Sequence, residues 1–306
     1  MPAEKSLPLY RGRFAPSPTG PLHFGSLLAA VGSFLEARSR GGEWLVRMED
    51  LDLPRVVPGA ADGILRTLEA FGLHWDGPVL AQSARDEAYR AALAELEKLG
   101  AVYPCACTRK EIADSALGGI DGPVYPGTCR GGLPAGRSAR AVRLRTDSGV
   151  VEFDDGLQGR VGQNLAAEVG DFVIRRADGL FAYQLAVVVD DAEQAVTHVV
   201  RGADLLDSTP RQITLQRLLG LPTPAYLHLP VAVNERGEKL SKQTLAPAVS
   251  AGDPADALFA VLMFLGQTPP PESRDAGIES LWEWALTHWR ADRLPARRAI
   301  ALSAES

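Results

Sequence analysis

Arg13-Phe14-Ala15-Pro16-Ser17-Pro18-Thr19-Gly20-Pro21-Leu22-His23-Phe24-Gly25-Ser26 is the stretch on which the reading of this chain turns. It grows out of the short run Leu9–Ala15, and the cluster Pro16–Pro21 then interrupts any regular element. Beyond the cluster, Leu27, Leu28, Val31, Phe34 and Leu35 recur at helical spacing. The order is therefore strand, tight turn, helix. In such a unit the first N–H groups of the helix face the crevice past the strand end, a natural seat for phosphate. The prolines and Gly20 fix the turn, Gly25 lets a flat base approach the backbone, and His23 can stabilise charge developing at an α-phosphorus. A proline-rich turn with a surface histidine fits the same letters.

Working outward, Trp44–Met48 is a second apolar run and ends in Glu49-Asp50-Leu51-Asp52. Helical patterns follow at 59–71 and 84–99, and again at Ser208–Leu219 after the runs Phe181–Asp191 and Val196–Arg201. Short apolar runs alternating with helices predict an α/β fold, a Rossmann-type parallel sheet. Phe181–Val189 reads equally as strand or helix by periodicity. Between 103 and 178 the texture changes: all three cysteines, many glycines and short alternating segments such as Ala141–Arg145 and Val150–Phe153 suggest an inserted α+β module. The expected organisation is a first Rossmann half at 1–102, the insert at 103–178, a second half at 179–244 and a short helical C-terminal region at 245–306. Ala255–Leu265 and Ser280–Trp289 supply the helices of that last region.

Of 306 residues, 46% are hydrophobic and 23% charged, and the formal net charge is −6. That acidic balance removes composition as an argument for binding RNA, although a local stripe of arginines could still serve one. Leu258–Leu265 is too short to span a bilayer, and the first dozen residues hold no apolar signal core. A cytoplasmic protein with no membrane partner and no obligate protein partner is expected. Three cysteines cannot all pair, which favours a reducing compartment.

Glu238-Lys239-Leu240-Ser241-Lys242-Gln243 reads as a solvated loop or as a cationic loop closing over a triphosphate. Arg13, Glu49 and Arg201 each end an apolar run, which aims them at one crevice, and Tyr183 could add a hydroxyl; taken singly, each reads more readily as a surface charge or, for Tyr183, a core ring. Cationic forks with one carboxylate suit a substrate carrying two carboxylates and an ammonium. Cys105-Ala-Cys107, with Tyr125-Pro-Gly-Thr-Cys129 further on, fits either a structural Zn²⁺ site or buried free thiols.

Pro18–Ser26 resembles the HIGH signature of class I aminoacyl-tRNA synthetases, and Lys239–Gln243 their KMSKS signature. Ser26 departs from the pattern, standing where the second histidine would be. The spelling RFAPSPTG…LH.G is similar to the glutamyl branch, as are Val46–Asp52, Tyr183–Asp191 and Thr197–Gly202. The resemblance implies catalytic roles for His23, Lys239 and Lys242, and ATP binding, with Mg²⁺, by these three together with Gly25 and Ser26. It implies a glutamate pocket of Arg13, Phe14, Ala15, Pro16, Ser17, Glu49, Tyr183 and Arg201, and a helix over Phe181–Asp191.

CxC followed by YPGTC resembles the glutamyl-queuosine tRNA(Asp) synthetase family, in which Cys105, Cys107, Tyr125 and Cys129 would hold one structural Zn²⁺ per chain. The chain's end at Ser306, soon after Lys242, agrees with that family in carrying no anticodon-binding domain. The implied reaction forms glutamyl-adenylate from L-glutamate and ATP without tRNA. Glutamate then passes to the cyclopentenediol of queuosine at the wobble position, in the anticodon loop of tRNA(Asp). Glutamylation of a tRNA 3′ end, transfer to a carrier, and a non-catalytic glutamate- and ATP-binding paralogue remain open from the residues themselves.

Overall fold

Strand β1 (Arg11–Phe14) runs through the Pro16–Pro21 turn into helix α1 (Phe24–Arg38) in the computed structural model, which describes residues 9–115, 118–120, 122–234, 236–238 and 253–302. Lys239 and Lys242, and the loop they belong to, lie outside the described residues. His23 caps α1, its ring accepting the Ser26 N–H, because four helix N–H groups have no partner within the helix. α1 buries Leu27, Leu28, Val31 and Leu35 at the spacing read from sequence. β1 pairs in parallel with β2 (Glu43–Met48), Arg11 opposite Glu43 through Phe14 opposite Val46. Helix α2 (Ala60–Ala70) follows, and β3 (Leu80–Ala81) then pairs in parallel with β2. α3 (Asp86–Lys98) completes the first half.

The middle segment opens with β4 (Val102–Cys105) and the short helix α4 (Arg109–Ser115). β4 pairs antiparallel with β5 (Ala141–Leu144). β6 (Val150–Asp155) and β7 (Gly159–Asn164) form a hairpin, and β8 (Val173–Arg175) pairs with β5. α5 (Tyr183–Glu193) is helical, as the family resemblance implied. Leu185, Ala186, Val187, Val188, Asp190 and Asp191 are all buried, so the helix has no polar face for periodicity to detect.

β9 (His198–Gly202) lies beside β1: the Thr197 N–H donates to Arg11 O at 2.9 Å, and Tyr10 stacks on His198 with centroids 3.9 Å apart. After α6 (Thr209–Leu219), β10 (Ala225–Leu229) pairs in parallel with β9. The strands thus follow the order β3-β2-β1-β9-β10, and the order reverses between β1 and β9. Ligands of open α/β sheets bind where the carboxyl ends of such strands diverge. α1 fits closely beneath this point; a Cβ on Gly32 would come 2.5 Å from Leu229 Cδ1. The hairpin β6–β7, within the stretch read from sequence as an insert, extends the sheet beyond β10, with Asp155 opposite Tyr226.

β11 (Val231–Val233) leaves β10 at the same end. Helices α7 (Pro254–Phe264) and α8 (Ile278–His288) cover the outer side of α1, where Trp282 Nε1 donates to Phe71 O at 2.7 Å and Trp289 Nε1 to Glu36 Oε1 at 2.8 Å. β12 (Ala299–Ala301) then returns to pair in parallel with β11. Among the described residues, no helix is long and apolar enough to cross a membrane.

Candidate active site

A cleft of about 730 Å³ opens where β1 and β9 diverge, and the N-termini of α1 and α5 border it. Its lining contains Arg13, Phe14, Ala15, Pro16 and Ser17 from the first strand and turn. His23, Gly25 and Ser26 come from the head of α1, Glu49 from just past β2, and Tyr183 and Arg201 from α5 and β9. Every described residue expected to bind nucleotide or amino acid therefore faces one space. β11, the last regular element among the described residues before Lys239 and Lys242, contributes Val231 and Ala232 to the wall.

Electrostatics divide the cleft. His23 Nδ1 accepts the Ser26 N–H at 3.3 Å, so the neutral ring carries its proton on Nε2, 3.0 Å from Ser26 Oγ. Ser26, the departure from the signature, thus holds the ring of His23, three positions before it. Glu49 is pinned to the turn by its N–H, which donates to Pro16 O at 2.9 Å. Burial pushes its carboxyl up, against the pull of Arg47 and Arg13, and its nearest cation among the described residues, Arg47 Nη2, is 3.5 Å away. A desolvated carboxylate so weakly paired is a strong receptor for an ammonium group.

Arg13 and Arg201 are both nearly buried, at 3% and 5% exposure, and both are held by other side chains. Arg13 lays Nε and Nη2 against Asp191 Oδ1 and Oδ2 at 3.0 and 3.3 Å. Arg47, fully buried beside it, donates to Asp191 Oδ1 at 2.7 Å and to Gln194 Oε1 at 2.7 Å. Arg201 donates Nε to His228 Nε2 at 3.0 Å, Nη1 to Tyr183 Oη at 3.2 Å, and Nη2 to Thr209 Oγ1 and Gln212 Oε1 at 2.9 Å each. Tyr183 accepts from Arg201, and burial raises its pKa, so its own proton is kept for an incoming acceptor. His228 in turn meets Asp155: Nδ1 lies 2.5 Å from Oδ2, and burial pushes its pKa down to about 4. Sequence reading missed Arg47, Asp155, Asp191 and His228 as members of the site. The acidic pair Asp190-Asp191 at the end of an apolar run was the one visible signal.

The cysteines gather outside the cleft. Cys105, Cys107 and Cys129 are free thiols whose Sγ atoms all lie within 4.8 Å of one another. Tyr125 Oη stands 3.4 Å from Cys105 Sγ and 3.6 Å from Cys107 Sγ, and accepts the Cys129 N–H at 2.9 Å. Gly170 lets the chain pass this close, since a Cβ there would lie 2.7 Å from Tyr125 O, and its φ of +73° suits glycine.

Residues 10–277 match the family described as tRNA synthetases class I (E and Q), catalytic domain, and the chain belongs to that family. Within it, a glutamyl-Q tRNA(Asp) synthetase of Dechloromonas aromatica is 65% identical over 96% of this chain and 99% of its own length. Another, from Aromatoleum aromaticum, is 61% identical over 95% and 92%. Among solved structures, the glutamate-tRNA synthetase of Elizabethkingia anophelis superposes with a TM-score of 0.80 at 24% identity, over 97% of this chain and 68% of that one. That likeness shows the fold: class I, mixed α/β, with a parallel sheet. The chain is a ligase of the class I aminoacyl-tRNA synthetase type.

Proposed function

We propose that the cleft joins L-glutamate to ATP and passes the glutamyl group to the cyclopentenediol of queuosine in the anticodon loop of tRNA(Asp). The observation that carries this is the convergence of Arg13, Arg201, Tyr183 and Glu49 with the head of α1 on one cleft. Glu49 receives the ammonium. Arg201, Tyr183 and Arg13 receive carboxylate, and the Phe14–Ser17 backbone closes the amino-acid side. His23, Gly25 and Ser26 seat the ATP phosphates with Mg²⁺, and Lys239 and Lys242 neutralise the leaving pyrophosphate. A carboxylate oxygen attacks the α-phosphorus and pyrophosphate leaves. A ring hydroxyl of queuosine then attacks the glutamyl carbonyl, and AMP leaves as the ester forms.

In this reading 1–102 and 179–244 are the two halves of the catalytic domain, 103–178 is the insert, and 245–306 is a short helical C-terminal region, of which α7 and α8 pack on α1. The acceptor rests on the names of the relatives. Glutamate-dependent ATP–pyrophosphate exchange without RNA, followed by transfer to tRNA with and without queuosine, tests both stages. No exchange overturns the first, and equal labelling of tRNA lacking queuosine overturns the second.

The donor set fits Zn²⁺. Three sulphurs lie within 4.8 Å of one another, and the phenolic oxygen of Tyr125 stands 3.4 and 3.6 Å from two of them. Cys105, Cys107, Cys129 and Tyr125 would hold the ion, which would supply cross-linking of the insert rather than chemistry. Cys129→Ser is expected to drop zinc from about one per chain to near none and to lower the melting temperature, with exchange activity less affected. A variant with full zinc content and unchanged melting would count against the site.

A further inference from the structure

Asp155 and His228 stand outside every role assigned above, yet they form the buried end of a chain that reaches the cleft. Asp155 closes β6, and its two oxygens do different work. Oδ1 accepts three backbone N–H groups: Leu157 at 3.0 Å, Gln158 at 2.8 Å and His228 at 3.2 Å. Oδ2 faces His228 Nδ1 at 2.5 Å. His228 is fully buried between Phe153 and Tyr226, and its far nitrogen, Nε2, meets Arg201 Nε at 3.0 Å and Thr209 Oγ1 at 3.2 Å. A guanidinium can only donate, so Nε2 must be bare and the ring proton must sit on Nδ1. A carboxylate at Oδ2 enforces that arrangement.

We infer that Asp155 and His228 are positioning residues for substrate selection. Asp155 fixes the Nδ1–H tautomer of His228, and the bare Nε2 fixes the plane of Arg201 so that Nη1 and the Tyr183 hydroxyl face a substrate carboxylate. The hairpin β6–β7 is thereby tied to the amino-acid side of the cleft. The inference rests on the reading of Arg201 as a carboxylate partner and deepens it.

Asp155→Asn tests it with one atom changed. Three N–H donors hold the amide oxygen at the Oδ1 position, which turns the NH₂ toward His228. His228 must then accept at Nδ1 and carry its proton on Nε2, where it confronts the Arg201 Nε–H and is left with Thr209 Oγ1, 3.2 Å away, as its acceptor, so that Arg201 Nε loses its partner. In glutamate-dependent pyrophosphate exchange, KM for glutamate is expected to rise roughly 10- to 100-fold, with KM for ATP within about twofold of wild type. The ¹⁵N shifts of His228 should show Nδ1–H in the wild type and Nε2–H in the variant. Nε2–H in the wild type overturns the inference, and that measurement does not depend on any variant folding. Arg201→Ala separates the two levels. If it loses glutamate affinity while folded Asp155→Asn keeps it, the positioning role is overturned and the carboxylate reading stands. If Arg201→Ala keeps wild-type KM for glutamate, the carboxylate reading falls and the inference with it.

Discussion

Asp191→Ala is expected to destabilise the protein by about 3–5 kcal/mol, because it strands two buried guanidinium groups at once. Asp191 takes a two-pronged contact from Arg13 and a third donor from Arg47. Without it, Arg47 keeps only Gln194 and a long contact to Glu49, in a site with no exposure to water. Exposed ion pairs of this protein, such as Lys98 with Glu95, make a control, since such pairs contribute about 0–1 kcal/mol. The pH dependence has a definite sign. Burial raises the Asp191 pKa, but Arg13 and Arg47 outweigh it and hold the carboxyl below its ordinary 3.8. Its stabilisation is therefore complete above that value and is lost as pH falls through the lower, folded one. Denaturant titrations of wild type and variant would settle the matter. A loss below about 1 kcal/mol would show that water or neighbours replace the carboxylate.

Asp191 also marks the boundary of what the sequence discloses. Arg13, Glu49 and Arg201 could be singled out because each ends an apolar run, and the carboxyl ends of parallel strands share one edge of the sheet. Their partners could not. Asp155 and His228 are separated by 73 positions and meet only because β6 pairs with β10. The run Gly159–Asn164 is largely polar, so nothing local says that its hairpin continues the main sheet. α5 was ambiguous for the opposite reason: burial on nearly all sides erases the alternation by which helix and strand are told apart. The gathering of the cysteines was legible because candidate metal ligands, unlike hydrogen-bond partners, are few residue types. Pattern thus reveals groups at the ends of elements and clusters close in sequence, while the side chains that orient them depend on tertiary contact.

Arg201→Ala is expected to lower kcat/KM for glutamate by roughly 10²- to 10⁴-fold, the range for removing one member of a buried, hydrogen-bonded charge pair. The loss should fall in KM for glutamate and leave KM for ATP near wild type, since the head of α1, the seat proposed for the ATP phosphates, is untouched. Two effects add. The substrate carboxylate loses its cation in a nearly dry corner, and His228, Tyr183, Thr209 and Gln212 each lose a donor. Arg201→Lys should rescue little, because one ammonium cannot serve His228, Tyr183 and Gln212 in three directions while also meeting the substrate. Selectivity gives the sharper readout. Wild type should reject glutamine, whose amide brings no charge to this fork and sets a donor against donors. In Arg201→Ala the ratio of glutamate to glutamine turnover should collapse toward unity, as glutamate falls further than glutamine. If exchange assays with both amino acids show that ratio preserved, the side-chain carboxylate binds elsewhere in the cleft, and Arg13 with its remaining hydrogens becomes the group that reads it.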